Sequence, residues 1–216
     1  MFMNNTQFFL TGIGTEVGKT IASAIVVEAL KADYWKPVQA GELDFGDSHK
    51  VKSLITNDKS KFFDNTYALN TPMSPHASAA IDGVEIDLAK IIRPSTENKL
   101  VIEGAGGLLV PLNNKDCIID LIQPSDYIIL VSRHYLGSIN HTLLSIEALQ
   151  NRGLKNIGII FSGDEHPTTE SIILEKSGVK FLGRIDEEKE GFNQQKVSAY
   201  AKKLEKELMD FVSIEV

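Results

Sequence analysis

Gly12-Ile13-Gly14-Thr15-Glu16-Val17-Gly18-Lys19-Thr20 is the stretch that decides the fold. Before it, Gln7-Phe8-Phe9-Leu10-Thr11 is an apolar run of strand length. After it, Ile21, Ala24, Ile25 and Ala29 recur at helical spacing, so a helix is predicted over 20–31. A glycine-rich turn that leaves a strand and opens a helix is the setting of a phosphate-binding loop. Glycines let backbone N–H groups converge on phosphate oxygens, and the helix N-terminus favours an anion. In such a loop Lys19 reaches the terminal phosphates, and the Thr20 hydroxyl is a ligand for Mg²⁺. The usual spacing puts a glycine where Ile13 stands; Gly12 lies one residue further back, so this loop is stretched by one.

Outward from the loop, apolar runs alternate with helical patterns. Strands are expected around Tyr34-Trp35, at Lys99–Glu103, Tyr127–Val131 and Asn156–Phe161, and at Phe181–Gly183. Helices are expected over 50–55, 138–151 and 194–212. Apolar runs without alternation fit strands covered on both faces, as in parallel sheets. Strands separated by helices fit right-handed βαβ crossovers. The expectation is a single P-loop α/β domain over 1–216, a mostly parallel sheet flanked by helices. The less regular Gly41–Pro94 stretch is read as loops over its active edge.

The composition agrees. The chain has 216 residues, 43% hydrophobic and 24% charged, which suits a globular protein rather than a disordered one. A formal net charge of -7 and the lack of a basic run speak against nucleic-acid binding. One cysteine, Cys117, leaves no intramolecular disulfide and carries no nucleophile motif. Met1–Asn5 lead into too short an apolar segment for a signal peptide, and no run is long enough to span a membrane. The expected location is the cytoplasm. Gln194–Val212 has mixed charges and reads as a helix packed on the sheet rather than on a membrane.

Two acids and a second lysine are candidates for the chemistry. Glu103 ends an apolar run and enters Gly104-Ala105-Gly106-Gly107, so it reads as a carboxylate at a strand's end, where open α/β sheets bind ligands. Near Thr20 it would serve Mg²⁺. Asp47, before the predicted helix at 50–55, reads on its own as a turn or cap residue. Lys36, between Trp35 and Pro37, reads on its own as a solvated lysine, although beside a phosphate loop it would offset charge in phosphoryl transfer.

Taken together, these blocks resemble the dethiobiotin synthetase family. The matching segments are Gly14–Thr20, Lys36-Pro37-Val38, Asp47, Ser74-Pro75-His76, Glu103–Gly107 and Leu136-Gly137-Ser138-Ile139-Asn140-His141, in order along most of the chain. The stretched loop is itself a feature of that family. The resemblance implies that ATP, CO₂ and 7,8-diaminononanoate give dethiobiotin, ADP and phosphate, through a carbamate and a carbamic-phosphoric anhydride. It implies that Lys19 and Lys36 hold carbamate and γ-phosphate oxygens and are catalytic. It implies Mg²⁺ on Thr20, Asp47 and Glu103, and a nucleotide site formed by Glu16, Val17, Gly18, Lys19, Thr20, Ile21, Asp47, Glu103, Gly104, Ala105 and Gly106. It implies a homodimer in which Ser138, Ile139 and Asn140 bind substrate carboxylate across the interface. His76 and His141 are read as structural. Lys36→Ala is expected to lower turnover and spare the fold.

This chain departs from the family's pattern at three places: Ala40 stands where a Ser or Thr is usual, Ser162 where an Asn is usual, and Asp186 where a Pro is usual. The last two fall where the nucleotide base would sit, which leaves the base open. Two other readings share the scaffold. One is another P-loop kinase or ligase. The other is a nucleotide-switched partitioning ATPase, which would carry an extra lysine early in the loop, where Ile13, Gly14 and Thr15 offer none.

Overall fold

The computed structural model describes residues 6–213. Met1–Asn5, on which the signal-peptide reading rests, lie outside the described residues. The order is β1 (Gln7–Gly12), α1 (Lys19–Leu30), β2 (Asp33–Trp35), β3 (Val38–Ala40), α2 (Asp47–Leu54), β4 (Phe62–Phe63), β5 (Tyr67–Leu69) and α3 (Pro75–Ile81). It continues with β6 (Leu100–Gly107), β7 (Tyr127–Arg133), α4 (Ser138–Gln150), β8 (Ile157–Ser162), α5 (Pro167–Ser177), β9 (Lys180–Ile185) and α6 (Gln194–Val212).

Seven strands form one sheet in the order β4-β2-β6-β1-β7-β8-β9, and every pairing is parallel. All strand C-termini therefore lie along one edge, and β1 sits at the centre with the phosphate loop on that edge. β3 and β5 make a small parallel sheet of their own.

The central strands carry apolar side chains on both faces because both faces are covered. In β1, Phe8 and Leu10 join the cluster that holds Ile25 and Val26 of α1 and Leu204 and Leu208 of α6. Phe9 turns to the other face and packs with Ile102, Ile118 and Ile128. On that same side of the sheet, Leu130, Ile159 and Phe161 meet Ile146 of α4 and Ile173 of α5. Each such fully buried side chain stabilises the fold by about 1.5–3 kcal/mol. In α6, Val197, Ala201, Leu204, Leu208 and Phe211 repeat at four- and three-residue steps and bury one stripe against α1 and the sheet, as the sequence suggested. No helix among the described residues is long and apolar enough to cross a membrane.

Three expectations change, and one helix is new. β6 runs on to Gly107, so Glu103 lies inside the strand, paired with Leu10, and not at its end. α2 begins at Asp47 rather than Lys50, so Asp47 is a helix residue whose carboxylate favours the helix N-terminus. The irregular 41–94 stretch holds α2, α3 and two short strands, β4 and β5. α5 carried no helical signal in the sequence, and its buried residues, Thr169, Glu170 and Ile173, are mostly polar.

Candidate active site

The phosphate loop spans the turn between β1 and α1. Gly18 caps α1 with φ 94, a left-handed conformation that favours glycine. Gly12 is small because the loop folds back over it: a Cβ there would stand 2.5 Å from Val17 Cγ2. Gly12 is also paired with Gly107, which brings the end of β6 alongside the loop. Gly104, Ala105 and Gly106 thus lie in β6 beside the loop, and a side chain on Gly106 would come within 3.7 Å of the Thr15 hydroxyl.

Beside the loop, Thr20, Lys36, Asp47 and Glu103 form one cluster. Lys36 follows β2 and is 4% exposed. Its ammonium lies 2.5 Å from Asp47 Oδ2 and 3.0 Å from Glu103 Oε1. The Thr20 hydroxyl donates to Asp47 Oδ1 at 3.0 Å and lies 3.5 Å from Glu103 Oε1. Burial alone would pull the Lys36 pKa down, but the charges of Glu103 and Asp47 outweigh it and raise the value, so the lysine stays cationic. Burial likewise pushes the Asp47 carboxyl up, and Lys36 and the Thr20 hydroxyl bring it below the usual value. Lys19, also buried, donates to the Gly14 carbonyl at 2.8 Å. Its pKa is drawn down to about 8, chiefly by burial, with the charge of Lys36 adding to the effect against the pull of Glu103 and Asp47.

Three supporting residues escaped the sequence reading. Ser23 donates to Glu103 Oε2 at 2.6 Å and Tyr34 OH donates to the same oxygen at 2.9 Å, so both oxygens of this buried carboxylate are engaged. Burial and the neighbouring Glu103 charge drive the Tyr34 phenol well above its usual pKa, so it remains a donor. Gln39 Oε1 accepts from the Asp47 backbone N–H at 3.3 Å, while its amide nitrogen donates to the Gly41 carbonyl at 3.0 Å. Gln39 thereby fixes the start of α2. One signal was available for Ser23, which stands three residues after Thr20 and so on the same helix face.

The donor set fits Mg²⁺. A hydroxyl and two carboxylates are hard oxygen ligands, and Mg²⁺ is held by one or two carboxylates together with substrate phosphates and waters. Among the described residues no group of three or more His, Cys, Asp or Glu is placed to hold a metal ion.

The other predicted positions are spread along the same edge. Ser138 is buried at the start of α4, while Ile139 and Asn140 are exposed; no hydrogen bond or ion pair joins the three to the lysine–carboxylate cluster among the described residues. His141 Nδ1 pairs with Tyr135 OH at 2.7 Å, and His76 is exposed. Ala40 lies half-buried in β3. Ser162 ends β8 against the loop: a Cβ on Gly18 would meet its hydroxyl at 2.9 Å. Asp186 accepts from Tyr200 OH at 3.1 Å. The Cys117 thiol is pushed up by burial and the Asp120 charge, which disfavours a thiolate.

Beyond Ser162, Glu170 of α5 ties β7 to β9. It accepts two bonds from Arg184, each 2.7 Å, and lies 3.0 Å from His134 Nε2. Burial would raise its pKa, but the bonds from Arg184 and His134 hold it below the usual value. A carboxyl with a lowered folded-state pKa contributes stability that is complete above its unfolded pKa, about 4.3, and is lost as pH falls through the folded value. Urea melts of Glu170→Gln and wild type should therefore differ by about 3 kcal/mol at pH 7, with the gap narrowing below about pH 4.3. A gap that stays constant down to pH 3 would contradict this assignment.

The parallel sheet, the loop between β1 and α1 and the lysine–carboxylate cluster define a P-loop nucleotide-binding α/β protein. Residues 6–195 match a family described as an AAA domain. The fold resembles a ParA family ATPase from Chlorobium tepidum (TM-score 0.54, 10% identity, 95% of this chain and 92% of that one). It also resembles the cell division protein MinD from Aquifex aeolicus (TM-score 0.53, 12% identity, 98% of both chains). In sequence the chain is 64% identical to the ATP-dependent dethiobiotin synthetase BioD of Christiangramia forsetii, over 94% of this chain and 98% of that protein. It is 48% identical to the protein of the same name from Cytophaga hutchinsonii, over 92% and 96%. The chain belongs to the dethiobiotin synthetase family.

Proposed function

We propose that this chain is an ATP-dependent dethiobiotin synthetase acting on ATP, CO₂ and 7,8-diaminononanoate in biotin biosynthesis. The observation that carries the reading is the cationic Lys36 held between Asp47 and Glu103 beside the phosphate loop, in a chain so close in sequence to proteins of that name.

In this reading one substrate amine captures CO₂ as a carbamate. A carbamate oxygen attacks the γ-phosphate and ADP departs, leaving a carbamic-phosphoric anhydride. The second amine attacks the anhydride carbonyl, phosphate leaves, and the ring closes. The work of the protein is positioning and charge stabilisation. Glu16–Ile21 surround the phosphates with backbone N–H groups. Lys19 offsets charge on the γ-phosphate, and Lys36 neutralises the oxygens shared between carbamate and phosphate. Thr20, Asp47 and Glu103 would hold Mg²⁺, which would supply positive charge against the phosphates. Gly104–Gly106 allow nucleotide and substrate to approach β6 closely.

Ser138, Ile139 and Asn140 open α4, whose N-terminus suits a carboxylate. The exposed Tyr135, Leu136, Ile139 and Leu144 around it support a homodimer that completes this subsite. The enzyme is placed in the cytoplasm, with residues 1–216 acting as one domain.

The test is Mg²⁺-dependent phosphate release with bicarbonate, with and without 7,8-diaminononanoate, repeated with GTP and CTP. Release that requires the diamine and yields dethiobiotin supports the reading and ranks the bases. Release indifferent to the diamine with every nucleotide overturns it.

A further inference from the structure

Arg133 is the last residue of β7 and is paired with Ser162 of β8. Its guanidinium reaches the phosphate loop, where Nη1 donates to the Glu16 carbonyl at 3.2 Å. On its other side Nη2 faces Glu187 Oε1 at 3.8 Å; the two side chains are 46% and 62% exposed, so this pair carries little energy. Among the described residues it has no other bonded acceptor. Glu16 adopts φ 56, a left-handed conformation that a residue with a side chain rarely takes without support.

We propose that Arg133 is a nucleotide-positioning residue that sets the phosphate loop for ATP by holding the Glu16 carbonyl. The proposal rests on reading the loop as a triphosphate site. In a trans peptide the C=O and the following N–H point in opposite directions. Drawing the Glu16 carbonyl toward Arg133 therefore aims the Val17 N–H away from it, across the loop where a phosphate oxygen would sit. The same bond holds Glu16 in its left-handed conformation before nucleotide arrives, so less ordering remains to be done on binding. The positive charge of Arg133 beside the loop also favours an anion. Exposure of the side chain makes its removal compatible with an intact fold.

The experiment measures ATP Kd calorimetrically with Mg²⁺ and no diamine, alongside KM and kcat, for wild type, Arg133→Ala, Arg133→Lys and Glu187→Ala. Arg133→Ala should weaken ATP binding about tenfold and raise KM for ATP equally, with kcat at saturating ATP within about twofold. Arg133→Lys should recover part of the loss, Glu187→Ala should bind ATP as wild type does, and Tm should not move. An unchanged Kd in Arg133→Ala, or a fall in kcat at constant KM, overturns the proposal. So does a loss in Glu187→Ala equal to that in Arg133→Ala, which would place the effect on the loop after β9. Absence of ATP binding by wild type overturns the triphosphate reading and this proposal together, whereas wild-type binding with an unaffected Arg133→Ala overturns this proposal alone.

Discussion

Lys36→Ala should lower kcat about 100- to 1,000-fold, the usual effect of deleting one preorganised group aimed at developing charge. The structure gives the ammonium little freedom: it is buried, lies 2.5 and 3.0 Å from two carboxylates, and is kept cationic by them. Such a group needs no reorganisation when charge moves from carbamate to phosphate in the proposed reaction. The same geometry alters the expectation that this substitution spares the fold. Without the ammonium, Asp47 and Glu103 face each other unneutralised at the site, and breaking a buried pair costs about 3–5 kcal/mol. Lys36→Ala should therefore lose both turnover and several degrees of Tm. The effects separate by assaying well below the variant's Tm and confirming that it still binds ATP. Turnover near wild type in the folded, ATP-binding variant would remove Lys36 from the mechanism.

The legible part of this site is the part that is local in sequence. The phosphate loop, its strand and its helix are contiguous, and each is signalled by residues within a few positions of Lys19. Ser23 and Tyr34 are another matter. They meet Glu103 across 80 and 69 residues of chain, through a sheet order that places β6 between β1 and β2. Nothing in a linear reading states that order. Glu103 reads as the end of its strand because it closes an apolar run and Gly104-Ala105-Gly106-Gly107 follow, and an acid at such an end would meet ligand or water. In fact it is 1% exposed, and Ser23, Tyr34, Lys36 and Thr20 take the place of that water. β4 and β5 have two and three residues, too few for an alternation to register. α5 shows the opposite failure. Its buried face includes Thr169 and Glu170, the latter neutralised by Arg184, so a helix that packs firmly lacks an apolar period. Burial in this protein follows polar partners as well as hydrophobicity, and those partners appear only once the strands are ordered.

Glu103→Gln should lower kcat about 100-fold or more and shift the Mg²⁺ requirement to higher concentration, because it removes charge while keeping shape. The amide can turn its oxygen toward Lys36 and Thr20 and its nitrogen toward Ser23 and Tyr34, whose hydroxyls can rotate to accept. Packing is thus preserved. What disappears is one of the two negative charges that hold Lys36 cationic and one of the two carboxylates proposed as ligands for Mg²⁺. Ser23→Ala and Tyr34→Phe provide the contrast. Each deletes a single bond to Glu103 Oε2 and leaves the charge in place, so each should lower kcat by about tenfold or less. Steady-state rates titrated with Mg²⁺ across the three variants test this ordering. A Glu103→Gln enzyme that matches Ser23→Ala in rate and Mg²⁺ dependence would show that Glu103 serves only as a packing and hydrogen-bonding group, with Asp47 alone beside Thr20 for the metal.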